Sequence, residues 1–405
     1  MSFRISVSGM NAASSDLDVT AHNIANVNTS GFKGSRAEFA DVFAVSAYGL
    51  SQQAIGAGVR LAAVAQQFSQ GNVDFTGRAL DLAISGEGFF TLSDKGATVY
   101  SRAGNFGTDS DGYVVNPAGQ RLQVYEPNVA GGFDTGRLGD LRLPNGDSPP
   151  AATTKVTLET NLPAAATPPT VTPFDPNDPT TYNQTTSLTI YDSLGAPHTQ
   201  SMYYVKTANP NEWELNTYVD GAAVGPAQTL QYDSAGTLTS PSPAQIALPA
   251  YTPTNGSAAL SITLDLGKST QYGTSFGIQT QTQDGHATGR ITGIDISPEG
   301  AVSARYTNGA VQQLGQVALT NFANPQGLQS LGSNSWGETY RSGQPLHGQA
   351  GSSNFGLVQG GALEASNVNL TEQLVNMITA QRNFQANAQM IQTQDQIAQT
   401  VINIR

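Results

Sequence analysis

Residues 369–405 read NLTEQLVNMITAQRNFQANAQMIQTQDQIAQTVINIR, and the order of their apolar side chains decides the fold. Leu370, Met377, Phe384, Ile391 and Ala398 recur every seven residues, with Leu374, Ala388 and Ile402 at the plus-four offset. Such spacing predicts a long helix with one apolar seam. Asn369, with Glu372 three residues on, predicts a capping box at its start. The outer face is expected to carry Gln373, Gln385, Gln389, Gln392, Gln396 and Gln399, where a solvated helix would intersperse Glu and Lys. At about 1.5 Å per residue the helix would run roughly 50 Å, longer than a small domain is wide. Burying a single seam does not offset the entropy of ordering so many residues, so the helix needs partners along its length.

The same period returns at the other end of the chain. Phe3, Met10, Leu17 and Ile24 are spaced by seven, with Val7 and Ala21 at the plus-four positions. Ser2 is the expected N-cap and Gly31 the expected stop. Matched seams at opposite ends predict two helices that pair as a coiled coil. The intervening domains are then nested, each entered once and left once.

Bulk composition excludes several classes. The chain has 405 residues, room for two or three domains, with 43 Gly, 21 Pro and only 12% charged residues. A net charge of −12 and the lack of a basic stripe argue against nucleic-acid binding. Without cysteine there are no disulfides, thiolate chemistry or Cys-based metal sites, which suits any redox compartment. The start lacks the apolar region of a cleaved signal peptide, and no apolar run is long enough to span a membrane.

The N-terminal residues 8–33, SGMNAASSDLDVTAHNIANVNTSGFK, resemble the signature of bacterial flagellar axial proteins of the rod and hook family. Asn23, Asn26, Thr29, Gly31 and Phe32 lie in its most specific part. Residues 361–397, GALEASNVNLTEQLVNMITAQRNFQANAQMIQTQDQI, resemble the C-terminal signature of the same family.

Between the ends the texture is that of β-structure. Residues 34–70 read as an extended linker anchored by Phe39, Phe43 and Tyr48, with strand character near 59–64. From Gly71, short apolar runs at 80–84, 89–92, 99–100, 113–115 and 122–125 are divided by turns such as Asp109-Ser110-Asp111-Gly112, which predicts antiparallel hairpins. A second hairpin set returns at 291–296, 302–306 and 311–319. Residues 77–90, 100–125 and 315–328 resemble the inner β-domain that this family builds discontinuously. Residues 144–179, rich in Pro, Thr and Ala, read as an irregular lead-in. Strands are then expected at 187–191, 200–205, 213–219, 231–232 and 259–266. Within them, 189–215 (TIYDSLGAPHTQSMYYVKTANPNEWEL) resembles the outer domain of hook-type members, an insertion that rod-type members lack.

Catalytic patterns do not assemble. His22, His198, His286 and His347 lie in four separate segments without metal-ligand spacing, as loop or surface histidines do. Gly273-Thr274-Ser275-Phe276-Gly277 fits G-x-S-x-G, but the polar IQTQTQDG after it is no helix, which a nucleophile elbow requires. Gly267-Lys268-Ser269 ends like a Walker loop with Ile262 where its first Gly should stand. Asp109, Asp111 and Gly112 start like an EF-hand without its remaining ligands. Gly86-x-Gly88 precedes Phe89-Phe90 rather than a helix, so it is no dinucleotide loop.

The expected fold is mostly β with terminal α-helices: two nested antiparallel β-domains plus an N-/C-terminal coiled-coil pair. Expected boundaries are 1-33 and 362-405 for the helical domain, 34-70 for the linker, 71-144 and 286-361 for the inner β-domain, and 145-285 for the outer one. The expected protein is structural, not an enzyme, with no cofactor, metal, nucleic acid or membrane insertion. Phe3, Val7, Met10, Leu17, Ile24, Leu370, Leu374, Met377, Phe384, Ile391 and Ile402 are the expected assembly seams. The resemblance implies a helical homopolymer, uncleaved type III export to an extracellular flagellar site, and rod, hook-cap, hook-filament junction and export-apparatus partners. A distal rod component and a secreted β-rich adhesin or glycan-binding module are the alternatives. The long insertion at 145-285 disfavours the first, and paired terminal seams disfavour the second.

Overall fold

A computed structural model describes residues 2–42, 56–128, 131–144 and 146–403. Phe43 and Tyr48 lie outside the described residues, as do the side chains of Ser2 and Ile402. The fold is mostly β, with helices α1 (Ser2–Ala25) and α2 (Leu370–Asn403) packed on one another. Two compact units form. The first comprises Met1–Asn145, Gly293–Ala304 and Val311–Arg405; the second comprises Gly146–Thr292 and Arg305–Ala310.

In the first unit, Asn369 caps α2, its Oδ1 accepting from the N–H of Thr371 at 3.0 Å and of Glu372 at 3.4 Å. Helix α1 ends at Ala25, six residues before Gly31, because Asn26 and Thr29 turn the chain first through N–H bonds back to Asn23 and Asn26. The segment after it is more than an extended linker. Ser35–Asp41 pairs antiparallel with Val59–Gln66 as a hairpin against α1. Beyond it, strands from both halves of the chain share one sheet. Val311–Asn321 pairs antiparallel with Arg121–Pro127, Phe89–Asp94 and Leu346–Gln349. The core against it gathers Ile84, Phe90, Leu92, Leu122, Val124, Val317 and Leu319. A second cluster stacks Phe89, Tyr100, Phe322 and Trp336 edge to face. The EF-hand look-alike is a turn, with Asp109 Oδ1 accepting from the N–H of Asp111 and Tyr113.

The second unit is a sandwich. One sheet runs Gln184–Tyr191, Pro197–Lys206, Glu212–Val219, Gln228–Tyr232 and Leu238–Ser240, antiparallel throughout. Strict alternation along Glu212–Val219 sends Trp213, Leu215, Thr217 and Val219 inward. The tight turn that follows takes Asp220 to φ 50° and Gly221 to φ 80°, the left-handed pair of a two-residue hairpin. The other sheet is mixed. Lys155–Pro163 pairs antiparallel with Gly277–Gln283 but parallel with Thr263–Asp265 and Thr270–Tyr272, a departure from the all-antiparallel expectation. That central strand also corrects the irregular lead-in: Val156, Leu158 and Leu162 join one core with Met202, Tyr204, Trp213 and Leu264. The G-x-S-x-G segment runs into the strand Gly277–Gln283, and Lys268 pairs with Glu159 at 3.0 Å.

Candidate assembly interface

The helical pair is antiparallel, since Gly9 lies against Asn387 while Asn23 lies against Gln373. A Cβ on Gly9 would sit 2.5 Å from Asn387 Oδ1, so the glycine sets how closely the helices approach. On α1 the buried residues are Ser6, Ala13, Thr20 and Asn23, small or polar, and not the series at Phe3. Phe3 is 50% exposed, and Val7, Met10, Leu17 and Ile24 are half-buried. On α2 the covered stripe is Gln373, Met377, Ala380, Phe384, Asn387, Ile391 and Gln394, alternating by four and three. Met377, Phe384 and Ile391 therefore lie on the covered side. Leu370 and Leu374 do not, being 44% and 45% exposed. Gln373, expected outward, is instead half-buried and accepts from Asn23 Nδ2 at 3.2 Å.

The signature residues of this turn have mechanical roles. Asn23 spans three elements. Its Nδ2 donates to the Ser35 carbonyl at 2.7 Å and its Oδ1 accepts from the Ser35 N–H at 2.8 Å, besides the contact to α2. Asn26 Nδ2 donates to the His22 carbonyl at 2.9 Å, and Thr29 Oγ1 donates to Asn26 Oδ1 at 3.2 Å. Phe32 is buried and meets the His22 ring edge-on at 5.5 Å. Gly31, at φ 68°, brings its backbone so near Ala103 that a Cβ would lie 2.4 Å from that residue's N. Asn23→Ala strips both backbone groups of Ser35 of their partner and is expected to cost about 2 kcal/mol. Thermal unfolding and faster exchange of the Ser35 amide measure it.

Next to this turn sits a charged cluster that sequence reading missed. Lys33 Nζ donates to Glu364 Oε1 at 2.6 Å and to the Ser69 carbonyl at 2.8 Å. Arg102 Nη1 reaches Glu364 Oε2 at 3.3 Å, and its Nη2 donates to the Gly86 carbonyl at 2.8 Å. The Gly71 N–H also donates to Glu364 Oε1 at 2.8 Å. The Lys33 and Glu364 side chains are fully buried, and that of Arg102 is nearly so. Burial pushes both cations below their ordinary pKa values, with Glu364 opposing the shift in each. Residues that leave the N-terminal helix and residues that lead into the C-terminal one are thus tied to the β-domain by one carboxylate. A signal was present: Glu364 is the only charged residue between Leu357 and Thr371.

Helices from both termini that pair and leave apolar side chains uncovered are consistent with a structural, polymer-forming protein. The chain is 41% identical over 417 residues to the flagellar hook protein FlgE of Salmonella typhimurium, covering all of both chains. It belongs to the flagellar hook protein family. The Escherichia coli K12 protein is likewise 41% identical over 416 residues with full coverage of both, and that of Borreliella burgdorferi 33% over 435, covering 98% of each. Residues 3–33 match the flagella basal body rod protein family and 83–171 the flagellar hook protein FlgE/F/G D1 domain. Residues 161–286 match the flagellar basal body protein FlaE D2 domain, and 359–404 the flagellar basal body rod FlgEFG protein C-terminal family. The crystal structure of Helicobacter pylori flagellar hook protein FlgE2 shares the fold, at TM-score 0.54 and 16% identity over 72% of this chain and all of that one.

The protein is therefore a structural, non-enzymatic subunit of the flagellar hook, the extracellular homopolymer this family forms. No helix among the described residues is long and apolar enough to cross a membrane.

Proposed function

We propose that 1-33 and 362-405 form the inner layer of a hollow helical tube that bends while transmitting torque from rod to filament. The observation that carries this reading is the uncovered apolar surface of α2. Leu370, Leu374, Val375, Ile378, Met390 and Ile397 are 44–58% exposed on one helix. A lone chain leaves that surface in water, whereas copies stacked heterologously cover it and propagate. The two proposed β-domains comprise 71-144 with 286-361, and 145-285. Their Ser-, Thr-, Asn- and Gln-rich surfaces let neighbours exchange hydrogen bonds and bridging waters as the tube flexes, a universal joint. Rod, hook-cap, hook-filament junction and type III export proteins are the proposed partners, with export leaving the chain uncleaved.

Concentrating the purified chain and imaging it by electron microscopy tests the reading. Curved tubes are expected. Straight tubes would favour a rod-like role, and the absence of any polymer would overturn the assembly reading. The amides of 2–30 and 371–403 are expected to exchange more slowly in the polymer than in dilute monomer.

A further inference from the structure

His198 opens the strand Pro197–Lys206 and lies between two carboxylates. Its Nδ1 is 2.5 Å from Asp220 Oδ2, in the turn after Glu212–Val219. Its Nε2 is 3.3 Å from Asp192 Oδ2, in the turn after Gln184–Tyr191. An ionised carboxylate only accepts, so each ring nitrogen must donate, and a neutral imidazole has a single N–H. The geometry is that of an imidazolium.

The surroundings fix both carboxylates. Asp192 is fully buried. Its Oδ1 accepts from the N–H of Leu194 at 2.9 Å and of Ala196 at 2.8 Å, and its Oδ2 from Asn255 Nδ2 at 2.5 Å. Asp220 Oδ1 accepts from the Thr199 N–H at 2.9 Å. From the remaining side, Tyr251 presents its ring edge-on to the imidazole at 6.2 Å. Asp192, Asp220 and Tyr251 are thus the titratable groups around the ring. His198 is the sole cation paired with either carboxylate among the described residues.

We propose that this end of the second unit is a pH-sensitive clamp, in which protonated His198 ties the turns at Asp192 and Asp220 to the loop at Asn255 and releases them on deprotonation. Burial by itself lowers the His198 pKa, but hydrogen bonds donated to Asp220 and Asp192 outweigh it and raise the value above the ordinary one. Desolvation works against both aspartates, but the hydrogen bonds they accept hold them below the usual carboxylate range. The signs follow. With the histidine pKa raised on folding, its stabilisation is complete below about pH 6.5 and is lost as pH rises through the folded value. The carboxylate part is present above about pH 4 and is lost as pH falls through the depressed values. When the ring gives up one proton, the other stays on Nδ1 at the shorter contact. The Nε2 lone pair then faces Asp192 Oδ2, and that link opens.

Hydrogen exchange on the full chain at about pH 6 and about pH 9, corrected for intrinsic rates, tests the clamp. Protection of 192–199, 219–222 and 251–258 should fall on the order of tenfold at the higher pH, the loss expected for a hydrogen bond between charged groups. His198→Gln should give the weaker protection at both pH values. Asp220→Asn keeps the ring but removes one carboxylate, and should move the step to lower pH. Equal protection of the native chain at both pH values overturns the proposal. So does a step that survives in His198→Gln, or one that Asp220→Asn leaves in place.

Discussion

Glu364→Gln is expected to destabilise the unit that contains it by about 3–5 kcal/mol. The argument is one of charge count in a buried site. Lys33 and Arg102 carry one positive charge each and Glu364 one negative, so the cluster sums to +1. Neutralising Glu364 leaves two buried cations facing each other, with Glu87 the remaining carboxylate that acts on Arg102. Lys33→Met instead leaves Arg102 paired with Glu364 at a sum of zero, and should cost well under half as much. Calorimetry on the three proteins reads the difference, and only the transition of the unit holding the cluster should move. Equal losses, or a larger loss for Lys33→Met, would reject the charge account in favour of simple packing. A pH series adds a second check. The Lys33 ammonium is already pushed below its ordinary pKa by burial. In Glu364→Gln its cost is present below the folded value and is relieved as pH rises through it, so the deficit should shrink toward alkaline pH.

The two helices were legible because seven-residue spacing survives any choice of partner. Their register was not, because on α1 the largest apolar residues draw the eye to a seam that the monomer does not close. Contact between α1 and α2 depends on Gly9 and on the buried Ser6, Ala13 and Thr20, residues with too little hydrophobicity to mark a face. The strand Lys155–Pro163 shows the same limit in a sheet. Its alternation of Val156, Leu158 and Thr160 was readable, but flanking Pro and Ala diluted it. Nothing local announces that it pairs in parallel with Thr263–Asp265 more than a hundred residues later. The ion cluster was hidden for a related reason: Lys33, Arg102 and Glu364 are far apart in sequence, and only the discontinuous fold brings them together.

Double substitution of Leu374 and Ile378 by glutamate should abolish assembly while leaving the monomer folded. Both side chains are about half exposed, at 45% and 50%, so charge at these points alters an isolated chain little, by about 0.5 kcal/mol or less. In a polymer that covers them, each carboxylate is buried without a partner. Two such penalties raise the concentration needed for assembly on the order of a hundredfold or more. The spacing of the face sharpens the test. From Leu370 through Leu374, Ile378, Gln385, Gln389, Gln392 and Gln396 the steps are four, four, seven, four, three and four, which is one side of a helix. That side is apolar for its first turns and amide-rich beyond them, so the amides continue the exposed leucine face instead of opposing it. If the amide portion lines an open channel, Gln389→Glu with Gln396→Glu keeps its charges in water and should assemble at close to the native concentration. Sedimentation of polymer from monomer, with micrographs of the pellet, separates the cases. Equal failure of both double variants would mean that the whole face is buried between copies and that no amide-lined channel exists.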